Sequence, residues 1–176
     1  MFHVFWAFFR ILDRLVILQK TIKATDFQNY MLSIIITAWD DPFSTKKCIQ
    51  NFLDEKISED YEILVSTPFE KTKKIVREFS KKYPKKFYLL HQPEEMGKNQ
   101  IYNLLFKKAK GSILIMTDGN KFIKKGSVKK ILKSFGDESV GCVGGRPVSN
   151  NKKDYMVGYS SHLILDIGAH EHIRKK

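Results

Sequence analysis

The sequence predicts an α/β fold with a mostly parallel central sheet and helices on both faces. Short apolar runs rich in β-branched residues alternate with segments whose apolar residues recur at helical spacing. The connecting segments are short, and the chain of 176 residues has no internal repeat and no low-complexity linker. Such an alternation is typical of parallel sheets that are covered by their crossover helices.

The predicted strands are the apolar runs of this alternation. Each is short and bounded by polar or turn-forming residues, which is the pattern of a strand buried in a sheet. They span residues 31–37, 61–66, 86–91, 112–118 and 140–145. The predicted helices lie between them, at residues 42–53, 69–82, 96–110 and 127–135. Pro42 suits a first helical position, and Gly111 is expected to stop the third helix.

Three segments are predicted along the chain. Residues 31–150 form the α/β domain, and residues 151–176 form a terminal helix. Residues 1–30 are expected to form an amphipathic helix that lies at a membrane interface or packs on the protein. Arg10 and Asp13 interrupt its apolar run, which therefore falls short of the roughly 18–20 residues of a spanning helix. Its apolar side would consist of Phe2, Phe5, Trp6 and Phe9.

The charge of the chain favours anionic partners. The formal net charge is +12, from 31 lysines and arginines against 19 acids. A nucleic acid, an acidic membrane surface or a phosphorylated small molecule fits this charge, and so does a solvated lysine-rich surface. The lysines lack the interleaved aromatic residues of a base-stacking surface, so nucleic acid ranks last. Only two cysteines occur, which suits a reducing, cytoplasmic compartment.

The stretch "TDGN" ends the fourth predicted strand and offers two oxygen-bearing side chains. Ligands of open α/β sheets bind beyond the carboxyl ends of the strands. Asp118 and Asn120 flank Gly119 at such an end. A hard cation such as Mg²⁺ or Mn²⁺ takes one or two protein oxygens and completes its shell with water and phosphate. The alternative is a plain turn, because Asp-Gly and Gly-Asn are common turn pairs.

Two neighbouring segments carry further candidate residues. Gly97 and Lys98 open a predicted helix, whose free N–H groups and positive dipole end suit an anion. Trp39, Asp40 and Asp41 follow the first strand and suit the stacking and hydrogen bonding of a nucleobase. The alternatives are a glycine loop with a surface lysine and an aspartate that caps the helix beginning at Pro42.

The order "SIIITAWDDP", "EILVS", "GKNQIYNLLFKKAKGSILIMTDGN" and "VGCVGGRPV" resembles a family 2 glycosyltransferase of the GT-A fold. That fold is Rossmann-like and typical of nucleotide-diphospho-sugar transferases, and the similarity covers about residues 31–148. The resemblance implies inverting transfer of a sugar from a nucleotide-diphosphate-sugar, with a divalent metal, to a glycan or lipid-linked acceptor. It also implies polysaccharide biosynthesis at the cytoplasmic face of the membrane. "TDGN" matches the position of the family's D-x-D motif.

The resemblance also implies site residues. The metal ligands would be Asp118 and Asn120. The donor nucleotide would contact Ala38, Trp39, Asp41, Lys98, Asn103 and Asp118. Many members carry a base-binding aspartate at the second strand end, where this chain has Ser66 within "VSTPFE". Ser66 is expected to hydrogen-bond the base without a charge.

The catalytic base is not identified by the sequence. Inverting transfer needs a general base to deprotonate the acceptor hydroxyl. In the family this acid lies well after the D-x-D segment, and the acids that follow Asn120 lie in no recognisable motif. The sequence therefore predicts a chain truncated before the acceptor region, and a catalytically inactive binding module that needs a partner chain is the alternative. His162, Asp166 and His170 are interpreted as a polar stripe of the terminal helix.

Overall fold

The computed structural model describes residues 16–19, 30–93, 96–137 and 139–174. The chain divides into two compact units, of which the larger runs from the first strand to Gly145 and the smaller begins at Arg146. The larger unit is built on a six-stranded sheet. Its strands are β1 (Val16–Gln19), β2 (Leu32–Thr37), β3 (Tyr61–Thr67), β4 (Phe87–His91), β5 (Ile113–Asp118) and β6 (Cys142–Gly144).

The sheet is mostly parallel, as the sequence predicts. Its strand order is β4-β3-β2-β5-β1-β6, and the first four of these strands run parallel to one another. Thr37 pairs with Ser66 on one side and with Asp118 on the other. The carboxyl ends of β3, β2 and β5 therefore meet at one level of the sheet.

Helices cover both faces of this sheet. They are α1 (Pro42–Leu53), α2 (Glu70–Lys82), α3 (Lys98–Lys108) and α4 (Ser127–Ser134). Side chains alternate between the faces of a strand, so neighbouring residues of β2 enter different cores. Ile34 and Ile36 pack with residues of α1, α2 and α4, whereas Ile35 packs with Ile101 and Leu105 of α3. Each such side chain contributes about 1.5–3 kcal/mol when fully buried.

Strand β1 corrects the prediction for the N-terminal segment. Val16–Gln19 was expected within a helix of residues 1–30, but it pairs antiparallel with both β5 and β6. The helical prediction is wrong at these residues because a short apolar run without clear periodicity suits a helix or a strand equally. The pairing satisfies the backbone groups of β5 on the side opposite β2. The rest of the predicted helix lies outside the described residues, apart from Tyr30 itself.

Gly111 has a different role from the one that the sequence suggests. Helix α3 already ends at Lys108, and Ala109 is its C-cap. A Cβ atom on Gly111 would overlap with the backbone nitrogen of Ser33. The backbone N–H of Gly111 donates to Ser33 Oγ over 2.8 Å. Gly111 is therefore needed for close contact with β2 and not as a helix stop.

The smaller unit contains the predicted terminal helix, α5 (Met156–Arg174). His162 Nε2 lies 2.8 Å from the carbonyl oxygen of Asn151, and Arg146 pairs with Asp166 over 2.8 Å. These contacts occupy two polar side chains of the helix with neighbours in the same unit. No helix among the described residues is both long and apolar enough to cross a membrane.

Candidate functional site

A cleft of about 300 Å³ lies at the carboxyl ends of the parallel strands. It receives residues from the ends of β2, β4 and β5 and from the beginnings of α1 and α3. They are Thr37, Ala38, Trp39, Asp41, Thr45, Gln92, Met96, Lys98, Ile101, Asp118, Gly119 and Asn120. The cleft therefore brings together five of the seven predicted nucleotide-binding residues and both predicted metal ligands.

Asp118 is the centre of the polar contacts in the cleft. Its Oδ1 accepts a hydrogen bond from Thr37 Oγ1 over 3.1 Å and binds the Lys98 ammonium over 2.6 Å. Thr37 Oγ1 in turn lies 3.2 Å from the hydroxyl of Tyr102. The carboxylate is partly buried, whereas more than half of the Lys98 side chain is exposed. An exposed ion pair of this kind contributes little to stability, so Lys98 is able to exchange partners at low cost.

Tyr102 connects α3 to this group of side chains. Burial raises the pKa of its hydroxyl, while the hydrogen bond with Thr37 and the charge of Lys98 act in the opposite direction. The net effect is a raised pKa, so the hydroxyl stays protonated at neutral pH and remains able to donate. Tyr102 thereby holds Thr37 in place beside Asp118.

Gly119 permits the turn that presents Asp118 and Asn120. A Cβ atom at this position would lie 2.9 Å from both Ala38 Cβ and Thr45 Oγ1. The Gly119 N–H continues the strand pairing by donating to the carbonyl oxygen of Thr37 over 2.8 Å. A side chain at residue 119 would push β5 away from β2 and move both predicted metal ligands. Asn120 itself is exposed.

The segment after β2 combines helix capping with an open aromatic ring. Asp41 is the N-cap of α1, and its Oδ1 accepts from the backbone N–H of Ser44 over 2.9 Å. Hydrogen bonds from Ser44 hold the pKa of the Asp41 carboxyl below its usual range. The capping interpretation is thus confirmed for Asp41, although this residue also lines the cleft. Trp39 is 66% exposed, and its ring packs edge-to-face on Phe69 with centroids 4.9 Å apart.

Ser66 and Asn103 lie outside the wall of the cleft. Ser66 is fully buried, and its Oγ donates to Gln92 Oε1 over 3.0 Å. Ser66 therefore contacts the cleft through Gln92, which does line it. Asn103 is exposed on α3, next to Tyr102, and is not among the lining residues.

Sequence reasoning missed several residues of the site. They are Thr37, Thr45, Gln92, Met96, Ile101 and Tyr102. Gln92 directly follows β4, so the rule that ligands bind beyond strand ends would have drawn attention to it. The same rule points to Thr37, which ends β2, whereas Tyr102 has no such signal because its role depends on a contact between α3 and β2.

The donor set suits a divalent cation only together with an anionic ligand. Within the described part of the chain, no three His, Cys, Asp or Glu side chains form a group able to hold a metal ion. Asp118 and Asn120 supply one carboxylate and one amide, and the charge of that carboxylate is balanced by Lys98. Mg²⁺ and Mn²⁺ accept such a small protein contribution when phosphate oxygens and water complete the shell.

Comparison with known proteins agrees with this architecture. Residues 33–175 match the family model of glycosyl transferase family 2. The mannosyltransferase PcManGT from Pyrobaculum calidifontis, solved in complex with GDP-Man and Mn²⁺, is similar with a TM-score of 0.59 and 19% identity. The similarity covers 64% of this chain and 34% of that one.

A second similar structure is S. aureus TarS 1–349, with a TM-score of 0.48, 19% identity, and coverage of 61% of this chain and 32% of that one. The chain thus spans about a third of the length of both structures. The comparison with curated proteins found no match. The α/β GT-A fold predicted from the sequence is confirmed, and the chain belongs to glycosyl transferase family 2.

Proposed function

We propose that the cleft binds the nucleoside diphosphate of a nucleotide-sugar donor, and that the chain is a glycosyltransferase or its donor-binding part. The observation that carries this proposal is the pairing of Lys98 with Asp118 at the carboxyl end of β5. It puts an exchangeable ammonium and a carboxylate in a cleft that also exposes the ring of Trp39. Membership of glycosyl transferase family 2 supports the same assignment.

The diphosphate would lie between α3 and the turn after β5. Lys98 is the first residue of α3, where the positive end of the helix dipole lies. That dipole end and the ammonium together favour a phosphate. When the diphosphate enters, Lys98 would transfer from the Asp118 carboxylate to a phosphate oxygen, which leaves Oδ1 available to a cation.

Mg²⁺ or Mn²⁺ would be held by Asp118 and Asn120 together with the diphosphate. When bound, the cation would supply positive charge that neutralises the diphosphate as a leaving group. Thr37 would keep the Asp118 carboxylate oriented through its hydrogen bond to Oδ1.

The transfer that we propose proceeds with inversion to a glycan or lipid-linked acceptor. The acceptor hydroxyl would attack the anomeric carbon from the side opposite the diphosphate, and its proton would pass to a general base. Two carboxylates line the cleft among the described residues, Asp41 and Asp118. Asp41 caps α1 and Asp118 binds Lys98, so we assign the base to neither.

An inactive donor-binding module that needs a partner chain is the competing proposal. It predicts the same binding of nucleotide-sugar without turnover.

Localisation at the cytoplasmic face of the membrane stays a prediction, because residues 1–15 lie outside the described residues.

The proposal is tested by the thermal stability of the purified chain with UDP-, GDP- and dTDP-sugars, with and without Mn²⁺. A ligand that binds only the folded state adds about 2.7 kcal/mol at a hundredfold excess over Kd. We expect one nucleotide to raise Tm in the presence of Mn²⁺, and Asp118→Ala to abolish this increase. Release of the free sugar or its transfer to an added acceptor would separate the enzyme from the inactive module.

Asp60→Ala is the matched control for this experiment. Asp60 is an exposed acid directly before β3, at the amino ends of the strands, and therefore at the sheet edge opposite the cleft. This variant should keep the full increase in Tm. A chain that melts cooperatively and responds to none of the donors, with or without Mn²⁺, would contradict the proposal.

A further inference from the structure

The side-chain amide of Gln92 has a nitrogen without a hydrogen-bond partner among the described residues. Gln92 directly follows β4, is only 6% exposed and lines the cleft. Its Oε1 accepts a hydrogen bond from Ser66 Oγ over 3.0 Å. Nε2 makes no hydrogen bond to any described residue. It is also not fully buried, because the fully buried side-chain atoms without a partner among the described residues belong to Asn51 and Glu55. Nε2 is therefore not sealed from solvent, and its two N–H donors are available to a ligand of the cleft that Gln92 lines.

The hydrogen bond with Ser66 fixes which end of the amide faces the cleft. Ser66 is fully buried, so its hydroxyl hydrogen needs an acceptor inside the protein. Gln92 Oε1 is that acceptor. Rotation of the amide by half a turn would direct Nε2 at the hydroxyl and leave the hydroxyl hydrogen buried without an acceptor, which is unfavourable.

Gln92 lies at the opposite end of the cleft from Asp118. In the order β4-β3-β2-β5, three strand spacings separate the strand before Gln92 from the strand that ends at Asp118. Adjacent strands lie about 4.8 Å apart, so the two ends are separated by about 14 Å. This distance is comparable to the span of a nucleoside diphosphate. The exposed ring of Trp39, at the end of β2, lies on the way between them.

We propose that Gln92 recognises the nucleobase of the donor and selects a keto oxygen over an amino group at the same position. This inference rests on the proposed function, because it requires the diphosphate at Asp118. The N–H of Nε2 donates to O4 of uracil or thymine, or to O6 of guanine. Cytosine and adenine direct an amino group at the same donor, so hydrogen faces hydrogen and both groups lose their partners.

The test compares UDP with CDP, whose bases differ at this edge. Their affinities are measured by calorimetry with Mn²⁺ at constant concentration. The wild-type chain is expected to bind UDP at least about tenfold more tightly than CDP. Gln92→Glu keeps the shape and the acceptor for Ser66 but replaces the donor with an oxygen, so the ratio should fall to about one or reverse.

Two further variants separate recognition from a structural role. Gln92→Met keeps a side chain of similar length without polar hydrogens, and its ratio of UDP to CDP affinity should be close to one. Ser66→Ala removes the group that fixes the amide, so this ratio should decrease although Gln92 is present. A merely structural role would lower both affinities together and leave the ratio unchanged.

The outcomes distinguish this inference from the proposed function. Equal affinities of the wild-type chain for UDP and CDP would overturn the role of Gln92 and leave donor binding intact. An unchanged ratio in a cooperatively melting Gln92→Met chain would overturn it as well. Binding of no nucleoside diphosphate, whether UDP, GDP, CDP or ADP, would instead overturn the proposed function.

Discussion

The two ends of the cleft are built in different ways. The end at β5 is charged, and most of it comes from one contiguous motif, Asp118 to Asn120, with Lys98 beside it. The end at β3 and β4 is uncharged in its described lining residues and depends on a hydrogen bond between Ser66 and Gln92. Charged groups at a strand end form a recognisable sequence pattern, whereas a neutral pair from two strands does not. The difference suggests that the first end supplies affinity and the second supplies selectivity.

Replacing Gly119 should damage the charged end most. In Gly119→Ala the new methyl group would lie 2.9 Å from Ala38 Cβ and Thr45 Oγ1. Overpacking of this kind costs about 1–3 kcal/mol, and here it displaces both predicted metal ligands. We expect Mn²⁺-dependent nucleotide binding to fall below detection by calorimetry, with a lower Tm.

Gly141→Ala is the control for this substitution, because nothing lies within 4 Å of the added Cβ atom. It should leave both binding and Tm close to those of the wild-type chain. Equal affinity for nucleotide in the Gly119→Ala and Gly141→Ala chains would contradict the assignment of the charged end.

A second carboxylate should strengthen the charged end without changing the neutral one. Asn120→Asp adds a charged oxygen ligand, and ligand charge raises the affinity of a site for a hard cation. We expect Mn²⁺ to bind about tenfold more tightly in the presence of UDP at constant concentration, measured by electron paramagnetic resonance titration. The ratio of UDP to CDP affinity should stay constant.

Asn103→Asp makes the same change of charge on an exposed residue of α3 that does not line the cleft. It should leave Mn²⁺ affinity unchanged. An equal gain in Mn²⁺ affinity in both variants would show that this gain is a general effect of added negative charge and not a property of the turn after β5.

The smallest effect is expected at Asp41, between the two ends. Its pKa is lowered in the folded chain, from a usual value of 3.8, by hydrogen bonds from Ser44. The stability that it contributes is therefore fully present above that usual value and is lost as the pH falls through the lowered one. Asp41→Ala should cost about 1 kcal/mol at neutral pH, as N-cap removal does, and should leave nucleotide selectivity unchanged.

Thermal melts between pH 2.5 and 7 would check this prediction. Asp41→Asn is the control, because asparagine caps a helix without a charge, and it should lose less stability than the wild-type chain at low pH. An identical pH dependence of Tm in the wild-type and Asp41→Asn chains would show that the charge of the Asp41 carboxylate does not contribute to stability.

Local patterns were sufficient for the parallel core and for the charged end. The runs at residues 31–37 and 112–118 became β2 and β5 almost to the residue, because each is apolar, β-branched and bounded by polar positions. The turn at "TDGN" was recognisable because three adjacent residues carry the chemistry. The antiparallel strand Val16–Gln19 was not, because its partners are about a hundred residues away in sequence.

The end of the cleft at β3 and β4 could not be predicted from the sequence, for a related reason. Ser66 was predicted to hydrogen-bond the base itself, but its hydroxyl is buried and occupied by Gln92. That contact joins two strand ends 26 residues apart, and nothing in either local sequence specifies it. On α3, the sequence indicated Asn103, whereas the neighbouring Tyr102 makes the contact with Thr37. Tyr102 and Asn103 differ in which side of α3 they occupy, and the packing of Ile101 and Leu105 determines that side.

The most direct test of the division between the two ends is NMR titration of the ¹⁵N-labelled chain. The side-chain amides of Gln92 and Asn120 and the indole N–H of Trp39 serve as probes, assigned with the chains Gln92→Met, Asn120→Asp and Trp39→Phe. We predict that uridine shifts Gln92 and Trp39, that pyrophosphate with Mg²⁺ shifts Asn120, and that UDP with Mg²⁺ shifts all three. Uridine that shifts Asn120 but not Gln92, or UDP that shifts none of them, would contradict the account.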